Sequence, residues 1–306
     1  MIRMAALVIA LVLFGVINTT QANYKGFERG DVLVTAQELK TLLDTKNPKL
    51  VLIAVANVFD YRTGHITGAR KVWRNDYSAV MGRDYPYEGM IAKREQFQQF
   101  ARGVGVSNES IVVVYDHEYD ATHLWWAFYL YGKKDVRVLD GGYEAWVKHG
   151  YDTQYLAPGA PTVGNFVAEH PLEGWSIDEA YIKAGHQAGT MQLWDTRERS
   201  EWSGEELMTD AFRRGRIPFA KFINWREFRG KDGTFLPADE MTAMLLGYGF
   251  DKAKDQVFYC QAGVRTTQEI MGLYLLGWPL NKLHNYAGSW IAWSYDKDNP
   301  IVCDRC

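Results

Sequence analysis

The sequence predicts an α/β protein in which one parallel-sheet domain occurs twice. Short β-rich apolar runs alternate with segments of helical periodicity, the pattern of a parallel sheet covered by helices on both faces. GHITGA at 64–69 is echoed by GRIPFA at 215–220, and DGGYEAW at 140–146 by YAGSWIAW at 286–293. The offset of about 150 residues matches the usual size of a domain. LAPGAPTVGN at 156–165 has the composition of a linker between the copies.

Each copy contains apolar runs that are too short for helices and therefore indicate buried strands. In the first copy these runs are KLVLIAV at 49–55, SIVVVYD at 110–116 and VRVLD at 136–140. THLWWAFYLYG at 122–132 has apolar residues at helical spacing and ends at glycine, so it predicts a helix.

In the second copy, the run QVFYC at 256–260 predicts a strand that ends at Cys260, and TTQEIMGLYLLG at 266–277 predicts the helix after it. Thr266 and Glu269 have the spacing of a capping box at the start of that helix. Ligands of a parallel sheet bind beyond the carboxyl ends of its strands. Cys260 is therefore placed where a ligand would bind.

The N-terminus has the features of a secretory signal peptide over residues 1–22. Arg3 precedes an apolar run from Ala5 to Ile17, and Thr20-Gln21-Ala22 offers a small-residue cleavage site. The run is short for a membrane-spanning helix, although an uncleaved anchor is the alternative reading. We expect the mature chain to lie in the periplasm or to be secreted, without stable membrane insertion after cleavage.

The composition narrows the function classes. A formal net charge of −3 and a pI of about 6.2 argue against a nucleic-acid-binding protein, which would carry a basic surface.

The chain contains three cysteines. In an oxidising compartment, Cys303 and Cys306 are expected to form a local disulfide in a tail at 301–306. That leaves Cys260 unpaired, either buried and inert or free and reactive.

The loop CQAGVR at 260–265 has the chemistry of a reactive thiolate site. Gly263 permits a tight turn, so that the amides of 261–265 can curl around the sulfur. The following helix contributes partial positive charge, and Arg265 contributes a full charge. Together these groups are expected to lower the pKa of the thiol. The alternative is that Cys260 is a small buried hydrophobic residue that closes a strand.

The C-x-x-G-x-R pattern at a strand end resembles the active-site loop of the tandem-domain rhodanese family, in particular its exported bacterial members. The resemblance covers residues 30–300 and rests on motifs in matching order: GHITGA, MIAKREQFQQFARGVGV, DVRVLDGGYEAW, LWDTRERSEWSG, GRIPFAKFINW and YAGSWIAW. It implies an inactive rhodanese-like domain at 30–153, a linker at 154–168 and a catalytic domain at 169–300. Each domain would hold a mostly parallel five-stranded sheet flanked by helices.

The family implies a thiosulfate or 3-mercaptopyruvate sulfurtransferase that works without a metal or an organic cofactor. Cys260 would accept a sulfane sulfur as a persulfide and pass it to cyanide, a thiol or a sulfur-accepting protein. Asp195 and Arg197 resemble the family's D-x-R pair and are expected to brace the loop. The expected donor-binding residues are Gln261, Ala262, Gly263, Val264 and Arg265.

Two departures concern the donor and the first domain. Where thiosulfate-specific members have an arginine, this sequence has Glu201, and Ala262 stands where they often have a lysine. Asp116 occupies the cysteine's place in the first domain, which is therefore expected to be inactive unless Asp116 and His117 form an acid/base pair. Four arginines could supply the positive charge that is missing at these two positions, although each is also typical of a solvated surface residue: Arg199, Arg213, Arg214 and Arg216.

Two other functions fit parts of the pattern. Cysteine-dependent phosphatases share this kind of loop but place the arginine six residues after the cysteine, whereas Arg265 is five residues after Cys260. A non-catalytic sulfur-binding or redox module would use Cys303 and Cys306 as a second thiol pair, although an active dithiol normally opens a helix.

Overall fold

We describe a computed structural model of the chain over residues 21–306. The predicted signal peptide, residues 1–22, lies almost entirely outside the described residues. Within the part of the chain that the structure describes, no helix combines the length and apolar character needed to cross a membrane.

The first domain is a parallel sheet with the strand order β1-β6-β5-β2-β4. A short antiparallel pair, β3 with β7, lies beside it. The strands are β1 Leu33–Val34, β2 Leu50–Val55, β3 His65–Ile66, β4 Arg70–Val72, β5 Ile111–Tyr115, β6 Val136–Leu139 and β7 Thr153–Gln154. The helices are α1 Ala36–Asp44, α2 Val58–Thr63, α3 Arg94–Gly103, α4 Ala121–Leu130 and α5 Gly142–Lys148.

The second domain repeats this arrangement, with the strand order β8-β12-β11-β9-β10. Its strands are β8 Ser176–Ile177, β9 Met191–Asp195, β10 Lys221–Phe222, β11 Asp255–Tyr259 and β12 Leu283–Tyr286. Its helices are α6 Glu179–Ala188, α7 Arg199–Ser203, α8 Ala238–Tyr248, α9 Thr266–Leu275 and α10 Ser289–Tyr295. Both five-stranded sheets are parallel throughout, which confirms the predicted α/β fold.

The two domains share one apolar core. Helices α4 and α9 pack against each other across the boundary, and one cluster of buried side chains joins Trp125 and Phe128 of the first domain to Phe258 and Ile270 of the second. Every residue of α4 is buried. This explains its mostly apolar sequence, because a helix surrounded by protein has no solvent face to make polar.

The stretch between the domains also belongs to this core. Phe166, inside the predicted linker, is 2% exposed, and its amide donates to the carbonyl of Val106. The chain therefore crosses between the sheets while it is packed against the first domain.

Candidate active site

Cys260 directly follows β11, the central strand of the second sheet. The matching strand of the first sheet is β5, and Asp116 directly follows it. The two residues thus occupy equivalent positions in the two domains. Cys260 is 1% exposed and is the free cysteine of the chain. It lies at the base of the loop rather than on the surface.

The start of α10 holds the loop from one side. The amide of Cys260 donates to Oγ of Ser289 at 3.1 Å. In return, the carbonyls of Cys260 and Gln261 accept from the amides of Trp290 at 3.0 Å and Ile291 at 3.1 Å. The first two carbonyls of the loop are therefore turned toward α10 and away from the enclosed side of the turn.

Gly263 completes the turn with a φ of +71°, in the region that favours glycine. A Cβ at this position would lie 2.7 Å from the carbonyl oxygen of Ala287, so no larger residue fits. The Gly263 carbonyl accepts from Oγ1 of Thr266 at 2.7 Å and from Nδ2 of Asn285 at 2.9 Å. This carbonyl also faces away from the enclosed side.

The loop therefore contains a series of backbone N–H groups that have no hydrogen-bond acceptor among the described residues. The amides of residues 261–266 donate to no oxygen or nitrogen atom of the described residues. Since the carbonyls of Cys260, Gln261 and Gly263 are bonded to other groups, these amides remain available to an anion, next to the partial positive charge at the start of α9. A thiolate or a persulfide at Cys260 fits such a cup of donors.

The predicted capping box at the start of α9 is wrong. The helix begins after Arg265 without a side-chain cap, because the Thr266 hydroxyl bonds Gly263 and Asn285 instead. The Glu269 carboxyl group is buried, and neither of its oxygens has a hydrogen-bond partner among the described residues. Burial raises the pKa of Glu269 well above its usual value, and the nearby charge of Cys260 adds to this effect.

Arg265 is bound by Glu201 of α7. Its Nη1 and Nη2 donate to the two carboxylate oxygens at 2.6 and 2.9 Å, and the two side chains are buried. Burial lowers the pKa of Arg265, but the Glu201 hydrogen bond and the nearby charges of Cys260 and Glu201 raise it overall. Sequence reasoning placed Arg265 beside the donor and noted Glu201 as a departure, but did not pair the two.

Asp195 and Arg197 form a second buried pair beneath the loop. Nη2 of Arg197 donates to Asp195 at 2.6 Å and to the carbonyl of Gly215 at 2.8 Å. The guanidinium lies 4.7 Å from the ring centroid of Trp290, whose amide holds the Cys260 carbonyl. The pair thus supports the segment that positions the cysteine.

The rim of the loop is in contact with the first domain. A Cβ on Gly89 would lie only 2.8 Å from Cβ of Ala262. Tyr119, from the segment that follows β5, lies close enough to Arg265 to influence its pKa. On the other side of the rim, Nε2 of Gln261 donates to the carbonyl of Thr209 at 3.0 Å. Both domains therefore build the surroundings of Cys260.

A cavity of about 780 Å³ lies at the equivalent position of the first domain, with Asp116, His117 and Asp140 of that domain and Arg229 of the second domain in its wall. Burial raises the pKa of Asp116 to about 6. Its carboxylate accepts from the amide of Ala121 and makes no hydrogen bond with His117, so an acid/base pair of these two is not formed. A carboxylate cannot hold a sulfane sulfur, and this cavity is therefore not the site of that chemistry.

Ser289 is a site residue that sequence reasoning missed. Its φ is +49°, an unusual value for a residue other than glycine, and the matching position in the first domain is Gly142 with a φ of +59°. In both domains the next amide binds the carbonyl of the residue after the central strand. The serine adds an Oγ that accepts from the Cys260 amide. Aligning the repeats at this position would have revealed the substitution.

Comparison with known proteins identifies the fold family. The rhodanese-like domain model matches residues 35–149 and again residues 178–296. The chain belongs to the rhodanese family. This confirms the resemblance to the tandem-domain rhodanese family that the motifs indicated, while the exported type stays a prediction. The described residues contain no group of three His, Cys, Asp or Glu side chains placed to hold a metal ion, and the expectation that none is needed stays a prediction.

Curated relatives cover most of this rhodanese. It is 34% identical over 295 residues to the sulfur carrier protein TtuD of Thermus thermophilus, covering 90% of this chain and 98% of that one. It is 32% identical over 255 residues to the thiosulfate sulfurtransferase of Corynebacterium glutamicum, covering 79% and 80%. The anaerobic ergothioneine biosynthesis enzyme of Chlorobium limicola shares the fold, with a TM-score of 0.80 and 24% identity over 91% of this chain and 71% of that one.

Proposed function

We propose that this protein is a sulfurtransferase that carries sulfane sulfur on Cys260. The thiolate attacks the sulfane sulfur of a donor, the donor's S–S bond breaks, and the rest of the donor leaves with the electron pair. A thiophilic acceptor, cyanide or a thiol, then attacks the outer sulfur of the persulfide and restores the thiolate.

The observation that carries the proposal is the cup of unused amides around the cysteine. Residues 261–266 offer backbone donors that no other described group accepts from, and α9 adds its positive end. Such donors stabilise the anionic sulfur both before and after transfer. The names of the relatives support the same reaction class, since they include thiosulfate sulfurtransferases and a sulfur carrier protein. A sulfur-accepting protein is accordingly a candidate acceptor.

The test is the Cys260→Ser variant, compared with the wild type by intact-protein mass spectrometry after treatment with a sulfane sulfur donor. We expect the wild type to gain one sulfur atom that cyanide removes, and the variant to fold but gain none. A variant with both tail cysteines replaced by serine serves as the control and should still gain the sulfur. A persulfide that forms on the chain without Cys260 would refute the proposal.

Phosphatase chemistry receives less support from the site. Both terminal nitrogens of Arg265 are engaged by Glu201, so the guanidinium is not free to grip a phosphate. Hydrolysis of an aryl phosphate by the wild type, lost in the Cys260→Ser variant, would favour that function instead.

We also propose that the protein is exported. The support is the signal-like N-terminus together with the disulfide between Cys303 and Cys306, a bond that persists in oxidising compartments. Cell fractionation followed by N-terminal sequencing should find a mature chain that begins near Asn23 outside the cytoplasm. Recovery of the full-length chain from the cytoplasm would contradict this.

A further inference from the structure

The cavity of about 780 Å³ at the first sheet has the position of a ligand site. Its wall includes the residues that directly follow three neighbouring strands: Thr35 after β1, Asp140 after β6 and Asp116 after β5. Ligands of parallel sheets bind beyond the carboxyl ends of their strands, and cavities of this volume hold small organic molecules. Residues 229 and 231–234 of the second domain form another part of the wall. The cavity therefore lies between the two domains.

Asp116 brings an incompletely bonded carboxylate to this cavity. It is 6% exposed, and its Oδ2 accepts from one backbone amide. Its Oδ1 has no hydrogen-bond partner among the described residues. Asp140 differs, because its two oxygens accept from Tyr24, from Lys25 and from the amide of Phe235. Asp116 is therefore the buried carboxylate of the wall that can still accept from a ligand.

Arg229 brings a positive charge to the same cavity from the second domain. Its Nε donates to Oε1 of Gln268 at 2.6 Å, and its Nη1 donates to the carbonyl of Gly233 at 2.7 Å. Its Nη2 has no acceptor in the part of the chain that the structure describes. Burial lowers the pKa of Arg229, against the opposing charges of Asp116 and Asp140. The guanidinium is thus held in one direction while one of its nitrogens remains available.

Asp116 and Arg229 share this space without neutralising each other. They lie near enough to influence each other's pKa, but they form no direct ion pair. Each is therefore desolvated without the hydrogen bonds that would offset the cost. Nε2 of His117, in the same wall, is a further buried polar atom without a partner among the described residues. Polar groups left unpaired around a cavity indicate a bound molecule that pairs them.

The mouth of the cavity carries both signs of charge. Its exposed charged residues are Glu118, Glu144, Lys148, Lys231 and Asp232. A mouth of one sign would attract ions of the opposite sign, whereas a mixed mouth favours neither anions nor cations. A molecule that carries one positive and one negative group suits both this mouth and the two unpaired charges inside.

We propose that this cavity is a binding site for a small zwitterion of the amino-acid class. The ammonium group donates to Oδ1 of Asp116, and the carboxylate accepts from Nη2 of Arg229. Both hydrogen bonds are charge-assisted, and binding costs little reorganisation because the protein groups are already in place. The side chain of the amino acid lies in the rest of the cavity, whose wall includes the rings of Tyr24 and Tyr143. Cys260 is not part of the wall, and no step of the proposed sulfur transfer passes through this site.

Isothermal titration calorimetry of the wild type with glycine, L-methionine and L-phenylalanine tests the assignment. Each amino acid is compared with the two analogues that lack its ammonium group or its carboxylate group, for example 3-phenylpropanoate and 2-phenylethylamine for phenylalanine. We expect saturable binding of at least one amino acid. Both of its analogues should bind about tenfold or more weakly, because each leaves one of the two protein charges unpaired.

Three variants locate the site. Asp116→Asn removes the charge that the ammonium group needs and should weaken binding of the amino acid about tenfold or more. Glu109→Gln changes an exposed glutamate of the same domain outside the cavity wall, so this matched control should bind as the wild type does. Cys260→Ser should also bind as the wild type does, because the cysteine lies outside the cavity wall.

Absence of binding of all the amino acids at millimolar concentrations would overturn the assignment. An analogue that binds as tightly as its amino acid would show a simple anion or cation site and would overturn it too, as would full affinity in Asp116→Asn. Loss of binding in Cys260→Ser would place the amino acid at the cysteine loop instead. If Asp116→Asn does not fold, the analogues still decide in the wild type. Labelling of Cys260 by a sulfur donor is measured separately, so failure here leaves the proposed function standing.

Discussion

Asp116, which stands in the first domain where the second has Cys260, allows a quantitative test of how a buried carboxylate at this position affects the stability of the fold. Asp116 is 6% exposed, and one hydrogen bond, from the amide of Ala121, reaches its carboxylate. Burial raises its pKa from 3.8 to about 6, against the opposing effects of Arg229 and the Ala121 hydrogen bond. The folded protein therefore binds a proton there that the unfolded chain releases at lower pH.

The magnitude follows from the difference between the two pKa values. They differ by about 2, and each unit corresponds to about 1.4 kcal/mol, so ionised Asp116 destabilises the folded state by about 3 kcal/mol. This penalty is absent below the unfolded pKa of 3.8, grows as the pH rises, and is complete above about 6. Asp116→Asn keeps an oxygen acceptor for Ala121 and removes the charge. The variant should be more stable than the wild type by up to about 3 kcal/mol near neutral pH.

Urea denaturation of both proteins across this pH range measures the effect. The stability difference should approach zero near the acid end and reach its full value above the folded pKa. Glu109→Gln, an exposed glutamate of the same domain, is the control, since removing an exposed charge changes stability by about 1 kcal/mol or less. A difference that is independent of pH, or a variant that is less stable near neutrality, would refute the reasoning. Persulfide formation on Cys260 should be unaffected by Asp116→Asn.

Two further variants test other buried or strained features. Glu269→Met should raise the free energy of unfolding by about 1–3 kcal/mol, because it removes a buried carboxyl group that has no hydrogen-bond partner among the described residues. Urea denaturation measures this difference. A loss of stability in the variant would contradict the prediction. Replacing Cys303 and Cys306 by serine should leave the rate of sulfur transfer unchanged, because the tail also binds through Asp304 to Arg216. A folded double variant that has lost turnover would favour a redox role for the tail.

The fold was predictable because it depends on local patterns. The strand predicted at 110–116 is Ile111–Tyr115, and the helix predicted at 266–277 is Thr266–Leu275. Apolar runs bounded by turn residues specify such elements directly, and the repeat of motifs indicated that they occur twice. The position of Cys260 at a strand end followed from the same patterns.

The detailed chemistry of the site was not predictable in this way. The bond between Glu201 and Arg265 joins residues that are 64 positions apart, and no periodicity connects them. The capping box failed for a similar reason, because Asn285 on a neighbouring strand competes for the Thr266 hydroxyl. Long-range partners decide which of several local hydrogen bonds is made.

The first domain has a physical role in the geometry of the cysteine loop through the interface between α4 and α9. Thr122 and Thr267 share a hydrogen bond of 2.8 Å, and Nε2 of Gln268 donates both to Thr122 at 2.7 Å and to the carbonyl of Tyr119 at 2.9 Å. A buried polar network of this kind fixes the relative position of two helices, because a shift would leave its members without partners. Since α9 begins directly after the cysteine loop, fixing α9 also fixes the direction of the amides that surround Cys260. An aspartate in place of a cysteine therefore does not make the first domain dispensable, because its packing surface helps to hold the cysteine loop of the second.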